Sequence, residues 1–202
     1  MEICLLFLFC LFFRKMCNLN SILHKAIALG DLKSVQYWIN KGEDIEAKNC
    51  YGQTAICFAV FVNQTQIVKY LLQIGAKIDQ RGKVNESLLH IAVSKGYKPI
   101  VEILTKHNVD LNAQGLDLRT PLHIASEEGY IVIALMLIIK GANVNAKDSF
   151  GLTPLHQAAS FRQNLILNIL LKNGDNLEAE DNLGRTPLAC SSEQFRYMSQ
   201  DS

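Results

Sequence analysis

The same short phrase returns every 33 residues along this chain. Ser21-Ile22-Leu23-His24, Thr54-Ala55-Ile56-Cys57, Ser87-Leu88-Leu89-His90, Thr120-Pro121-Leu122-His123, Thr153-Pro154-Leu155-His156 and Thr186-Pro187-Leu188-Ala189 fall in one frame with no insertion between them. A fixed period of this size predicts a stack of small similar units, none able to bury its apolar face alone. Such stacks present long surfaces to partners and rarely enclose a catalytic pocket.

Residues 115–147 show what one unit asks of its side chains. Thr120 is a helix N-cap, its oxygen placed to accept from an orphan amide of the first turn. Pro121 follows at the first helical position, where its missing N–H costs nothing. All six copies carry Ser or Thr at the cap, but only the last three carry Pro next, so the first three helices should start less sharply. Ala26, Ala59, Ala92, Ala125 and Ala158 form a column of methyl groups that lets neighbouring helices approach closely. A turn residue follows at Gly30, Asn63, Gly96, Gly129 and Arg162. Glycine and asparagine tolerate a left-handed helix end, so Arg162 predicts strain or an altered turn in the fifth unit.

A second helix then carries two apolar columns. One is Trp38, Leu71, Leu104, Leu137 and Leu170; the other is Val35, Val68, Val101, Ala134 and Leu167. That helix should close at Gly42, Gly75, Asn108, Gly141 and Gly174. An extended piece with one aliphatic (Ile45, Ile78, Leu111, Val144, Leu177) leads on to the next cap.

Charge limits the partners. Lys and Arg number 20 against 19 Asp and Glu, a net charge of +1, so there is no basic excess to neutralise phosphates and nucleic acid is not expected. The six cysteines, at 4, 10, 17, 50, 57 and 190, include no Cys-x-x-Cys pair and read as free thiols in a reducing compartment. Cys57 takes the place of the histidine found in other copies. No phosphate loop, paired carboxylates or nucleophile–histidine–acid arrangement stands apart from the repeat frame. Catalytic residues, metal ligands and cofactors are therefore expected to be none. A ladder of one histidine per step, roughly 8–10 Å apart, does not bring nitrogens to about 2 Å from a common point, so zinc is not expected either.

Thr120-Pro121-Leu122-His123-Ile124-Ala125 and Thr153-Pro154-Leu155-His156-Gln157-Ala158 resemble the signature of the ankyrin repeat, and Gly141-Ala142-Asn143-Val144-Asn145-Ala146 resembles its repeat end. The resemblance covers about residues 18–190 and implies an all-α solenoid of helix–turn–helix units with β-hairpin fingers. Units are expected at 18–48, 49–81, 82–114, 115–147, 148–180 and, in part, 181–202, forming one repeat domain over 18–202. It implies that His24, His90, His123 and His156 are structural, bonding within and between repeats. It also implies a non-enzymatic adaptor, scaffold or inhibitor that grips another protein with its fingers and inner helix ends, expected as a cytoplasmic monomer.

Positions that this fold leaves free are where a partner would be read. Large apolar residues stand at six of them: Tyr51, Phe61, Leu116, Phe150, Phe161 and Leu183. Such residues along a groove are the material of binding hot spots, unless they pack on each other instead. A second patch comes from comparing copies. Val132, Leu135 and Ile139, spaced i, i+3, i+7, replace mostly polar residues of other units and should form an apolar stripe on the convex side. Either it is a contact surface or a drifted repeat with tolerated exposure.

Ile3–Phe13 is a run of eleven apolar residues followed by Arg14-Lys15. It matches a signal-peptide core in length, not a spanning helix, yet no basic residue precedes it and no small-x-small site follows. Residues 1–17 are thus a weak anchor or signal, an upstream extension before Met16, or an apolar cap on the first unit. The anchor option opens an alternative: a repeat segment of a membrane-associated or secreted protein, such as a channel, latrotoxin-like toxin or effector. Asn63-Gln64-Thr65 and Asn85-Glu86-Ser87 fit a glycosylation pattern but read as coincidences of repeat chemistry.

Overall fold

A computed structural model of the chain describes residues 21–81 and 86–190. The readings of residues 1–17, and of the third finger tip at 82–85, lie outside the described residues. The chain divides into two compact units, Met1–Lys77 and Ile78–Ser202.

In the first unit, α1 (Ile22–Leu29) pairs with α2 (Leu32–Asn40), and α3 (Ala55–Phe61) with α4 (Thr65–Gln73). Helix α1 packs on α3, and α2 on α4. The second unit repeats the scheme with α5 (Leu88–Ser94), α6 (Lys98–Thr105), α7 (Pro121–Glu128), α8 (Ile131–Ile139), α9 (Pro154–Ser160) and α10 (Asn164–Lys172). Inner helix α7 lies between α5 and α9, and outer helix α8 between α6 and α10. Residues 187–190 begin a further helix.

The expected columns are the core. Ala59, Ala92, Ala125 and Ala158 are fully buried, as are Leu71, Leu104, Leu137 and Leu170. Each such leucine contributes about 1.5–3 kcal/mol, and only because a neighbouring repeat supplies the opposite wall.

Both turn columns take left-handed backbone in every described repeat, Asn63, Asn108 and Arg162 included. Arg162 does not alter the turn; it adopts φ 57° despite its Cβ, which is the strain expected of it. Gly129 is needed for a second reason. A Cβ there would stand 2.6 Å from Oε1 of Gln163, the residue that opens the outer helix of the next repeat.

In the third, fourth and fifth repeats the helix start follows the histidine and not the proline. In the first, Ser21 Oγ accepts from Leu23 N at 3.2 Å without the ring. His123 Nδ1 accepts from the Thr120 amide at 3.1 Å and from its hydroxyl at 2.8 Å, and His156 does the same with Thr153. Ser87, which has no proline after it, makes the same box with His90. Thr54 lies three residues before Cys57 and makes no side-chain cap. The expectation that the first three helices start less sharply is therefore corrected for the third.

The fingers are turns closed at the base by a backbone bond, Asn49 N to Gln53 O at 2.9 Å, Asp148 N to Leu152 O at 2.9 Å and Asp181 N to Arg185 O at 3.0 Å. Among the described residues no sheet forms, and the isolated bridge Arg81–Ser87 is the extent of strand pairing.

Candidate binding face

Three finger tips are each held by an acid or amide two residues before them. Asn49 Oδ1 accepts from the amides of Tyr51 and Gln53 at 2.9 and 3.0 Å. Asp148 Oδ1 accepts from Phe150 and Leu152, both at 2.9 Å, and Asp181 Oδ1 from Leu183 and Arg185, both at 2.9 Å. Turns of this kind substitute a side-chain oxygen for a backbone carbonyl and fix the loop locally. The bulky tip residue is thereby presented on rigid backbone. Asn49, Asp148 and Asp181 were not singled out in the sequence, although the pattern Asn/Asp-x-bulky-Gly is written there three times.

Phe150 is 58 % exposed and Leu183 is 76 % exposed. Phe61 and Phe161, at the ends of inner helices α3 and α9, are also exposed. Tyr51 departs from the expectation: it is half-buried. In the second unit successive fingers are linked, Ser149 N donating to Asp117 O at 2.8 Å and Asn182 N to Phe150 O at 3.0 Å.

The fourth finger is built differently. Gly115 stands where Asn49, Asp148 and Asp181 anchor the others, so no side chain fixes the tip. Leu116–Leu118 form a single 3-10 turn in which Asp117 and Leu118 both take positive φ, 54° and 57°. Leu116 is 60 % exposed. An ion pair from Arg119 to Glu127 ties the base of this finger to the end of α7, so finger and helix end face one another. Arg185 is held by Asp181 at 2.7 Å.

His90, His123 and His156 use both ring nitrogens, whereas His24 Nδ1 is buried without a hydrogen-bond partner. Nε2 donates to a carbonyl of the next finger in each case: His24 to Gln53 at 3.0 Å, His90 to Arg119 at 2.8 Å, His123 to Leu152 at 3.0 Å and His156 to Arg185 at 3.0 Å. Burial holds all four below the usual imidazole range. The expected structural role, within and between repeats, holds for His90, His123 and His156, while His24 bonds between repeats only. Among the described residues no three His, Cys, Asp or Glu side chains converge to hold a metal ion. Cys57 and Cys190 are buried, and burial raises the Cys57 thiol.

The family model described as ankyrin repeats matches the chain in three copies, over residues 2–82, 73–148 and 136–198. The chain belongs to the ankyrin repeat family. No curated protein matches it. Ankyrin repeats serve generally as protein–protein interaction modules and are typically non-catalytic. In these ankyrin repeats the convex stripe is uneven: Val132 and Ile139 are exposed and Leu135 is half-buried. No described helix is long and apolar enough to cross a membrane.

Proposed function

We propose that this ankyrin chain is a non-enzymatic scaffold, adaptor or inhibitor that holds another protein against its fingers and inner helix ends, in the cytoplasm. The observation that carries the reading is the exposure of Leu116, Phe150 and Leu183 at finger tips whose packing does not require them. Tips fixed by Asp148 and Asp181 lose little freedom on docking, so a few apolar contacts are enough for useful affinity. Leu116 lacks that anchor and contributes through exposed area.

The full chain, immobilised, should capture a partner that the Phe150→Ala/Phe161→Ala double variant releases. Equal capture by both would remove the finger face as the binding surface.

A further inference from the structure

The outer helices of the second unit carry a surface that the finger face does not explain. Helices α6, α8 and α10 lie side by side with α8 in the middle. In the 33-residue frame Pro99, Val132 and Leu165 share one level, and Lys106, Ile139 and Lys172 another. Val132 is 49 %, Leu165 62 % and Ile139 79 % exposed. Corresponding positions on α4, in the first unit, are Gln66 and Gln73, so the repeat itself does not demand apolar residues there.

The charges on these helices are mainly positive. On the three helices and the residue after each stand Lys98, Lys106, Lys140 and Lys172, against a single carboxylate, Glu102, which is bonded to Lys106 at 2.8 Å. Val132 and Ile139 on α8 and Leu165 on α10 stand exposed, and the four lysines of the same helices are exposed with them. A lipid surface wants only protruding apolar groups bordered by cations.

We infer that this face docks on an anionic lipid surface, with Val132, Ile139 and Leu165 entering the headgroup layer and the lysines on lipid phosphates. The mode is peripheral, and it goes beyond the scaffold reading without depending on it. The full chain is mixed with vesicles of phosphatidylcholine alone, or of phosphatidylcholine with phosphatidylserine, and followed by flotation. Binding is expected only to the serine-containing vesicles and should fall with salt. Ile139→Ser/Leu165→Ser should weaken it roughly tenfold or more, and Lys140→Glu/Lys172→Glu at least as much. Phe150→Ala/Phe161→Ala should leave it unchanged. Equal binding to both lipids, or binding indifferent to both face variants, overturns the proposal. So does a chain that ignores vesicles but self-associates through Ile139 and Leu165, which would make the face a protein contact.

Discussion

His123 Nε2 lies 3.0 Å from the carbonyl oxygen of Leu152, 29 residues ahead, while its Nδ1 accepts from Thr120. One neutral ring thus closes its own helix start and fastens the next finger. Neither nitrogen has room for a second proton without losing a bond.

The stack should therefore be acid-sensitive. The four buried histidines titrate below the ordinary 6.5 when folded, because burial opposes their charge. Their contribution is complete above about pH 6.5, and it is lost as pH falls below that, because the unfolded chain takes up protons first. His123→Ala should cost about 2–4 kcal/mol at pH 7.5 and flatten the pH profile. Urea midpoints between pH 5 and 8 measure both; a variant as steeply pH-dependent as the parent would count against it.

Asp175 works in the opposite direction. It is 8 % exposed and neither carboxylate oxygen has a hydrogen-bond partner, at a place where other repeats have Ala76 and Ala142. Burial pushes its pKa up to about 6 from 3.8. The folded state thus binds this proton before the unfolded state does, and the penalty is full above pH 6 and relieved towards pH 4. Asp175→Ala should stabilise by about 2–3 kcal/mol at pH 8, with the gain shrinking on acidification. Thermal midpoints of the two proteins, compared across that range, decide it.

Leu118 and Arg162 hold positive φ where sister repeats use glycine. Leu118→Gly and Arg162→Gly should each stabilise by about 0.5–1 kcal/mol. Gly151→Ala should do the reverse, since a Cβ there would meet the Asn182 backbone nitrogen at 2.8 Å. Denaturant midpoints at unchanged slope provide the check.

Phe150→Ala/Phe161→Ala should change stability by no more than about 0.5 kcal/mol per residue, as exposed substitutions do, while removing partner capture. A large fall in melting temperature would place both rings in the core.

What the sequence made legible was whatever the repeat multiplies. The leucine column, the alanine column and both left-handed turn columns each recur in five units, so period and backbone chemistry point the same way. The histidine ladder was readable only through family resemblance, because a bond spanning 29 residues leaves no local trace. Asn49, Asp148 and Asp181 are not legible as anchors from the sequence, because only the receiving amides reveal the role. Proline was overrated as a helix starter, since Ser87 with His90 closes the same box. The half-burial of Tyr51 depends on neighbours that no periodicity encodes.

Gly129 sets a distance as well as an angle. The amide of Gln163 settles where a methyl would be and donates to the carbonyl of Glu127 at 3.2 Å. Alanine at 129 would turn that amide aside and undo this link between modules, on a backbone whose φ of 76° already disfavours a Cβ. One missing carbon thus keeps a polar latch seated within the second unit.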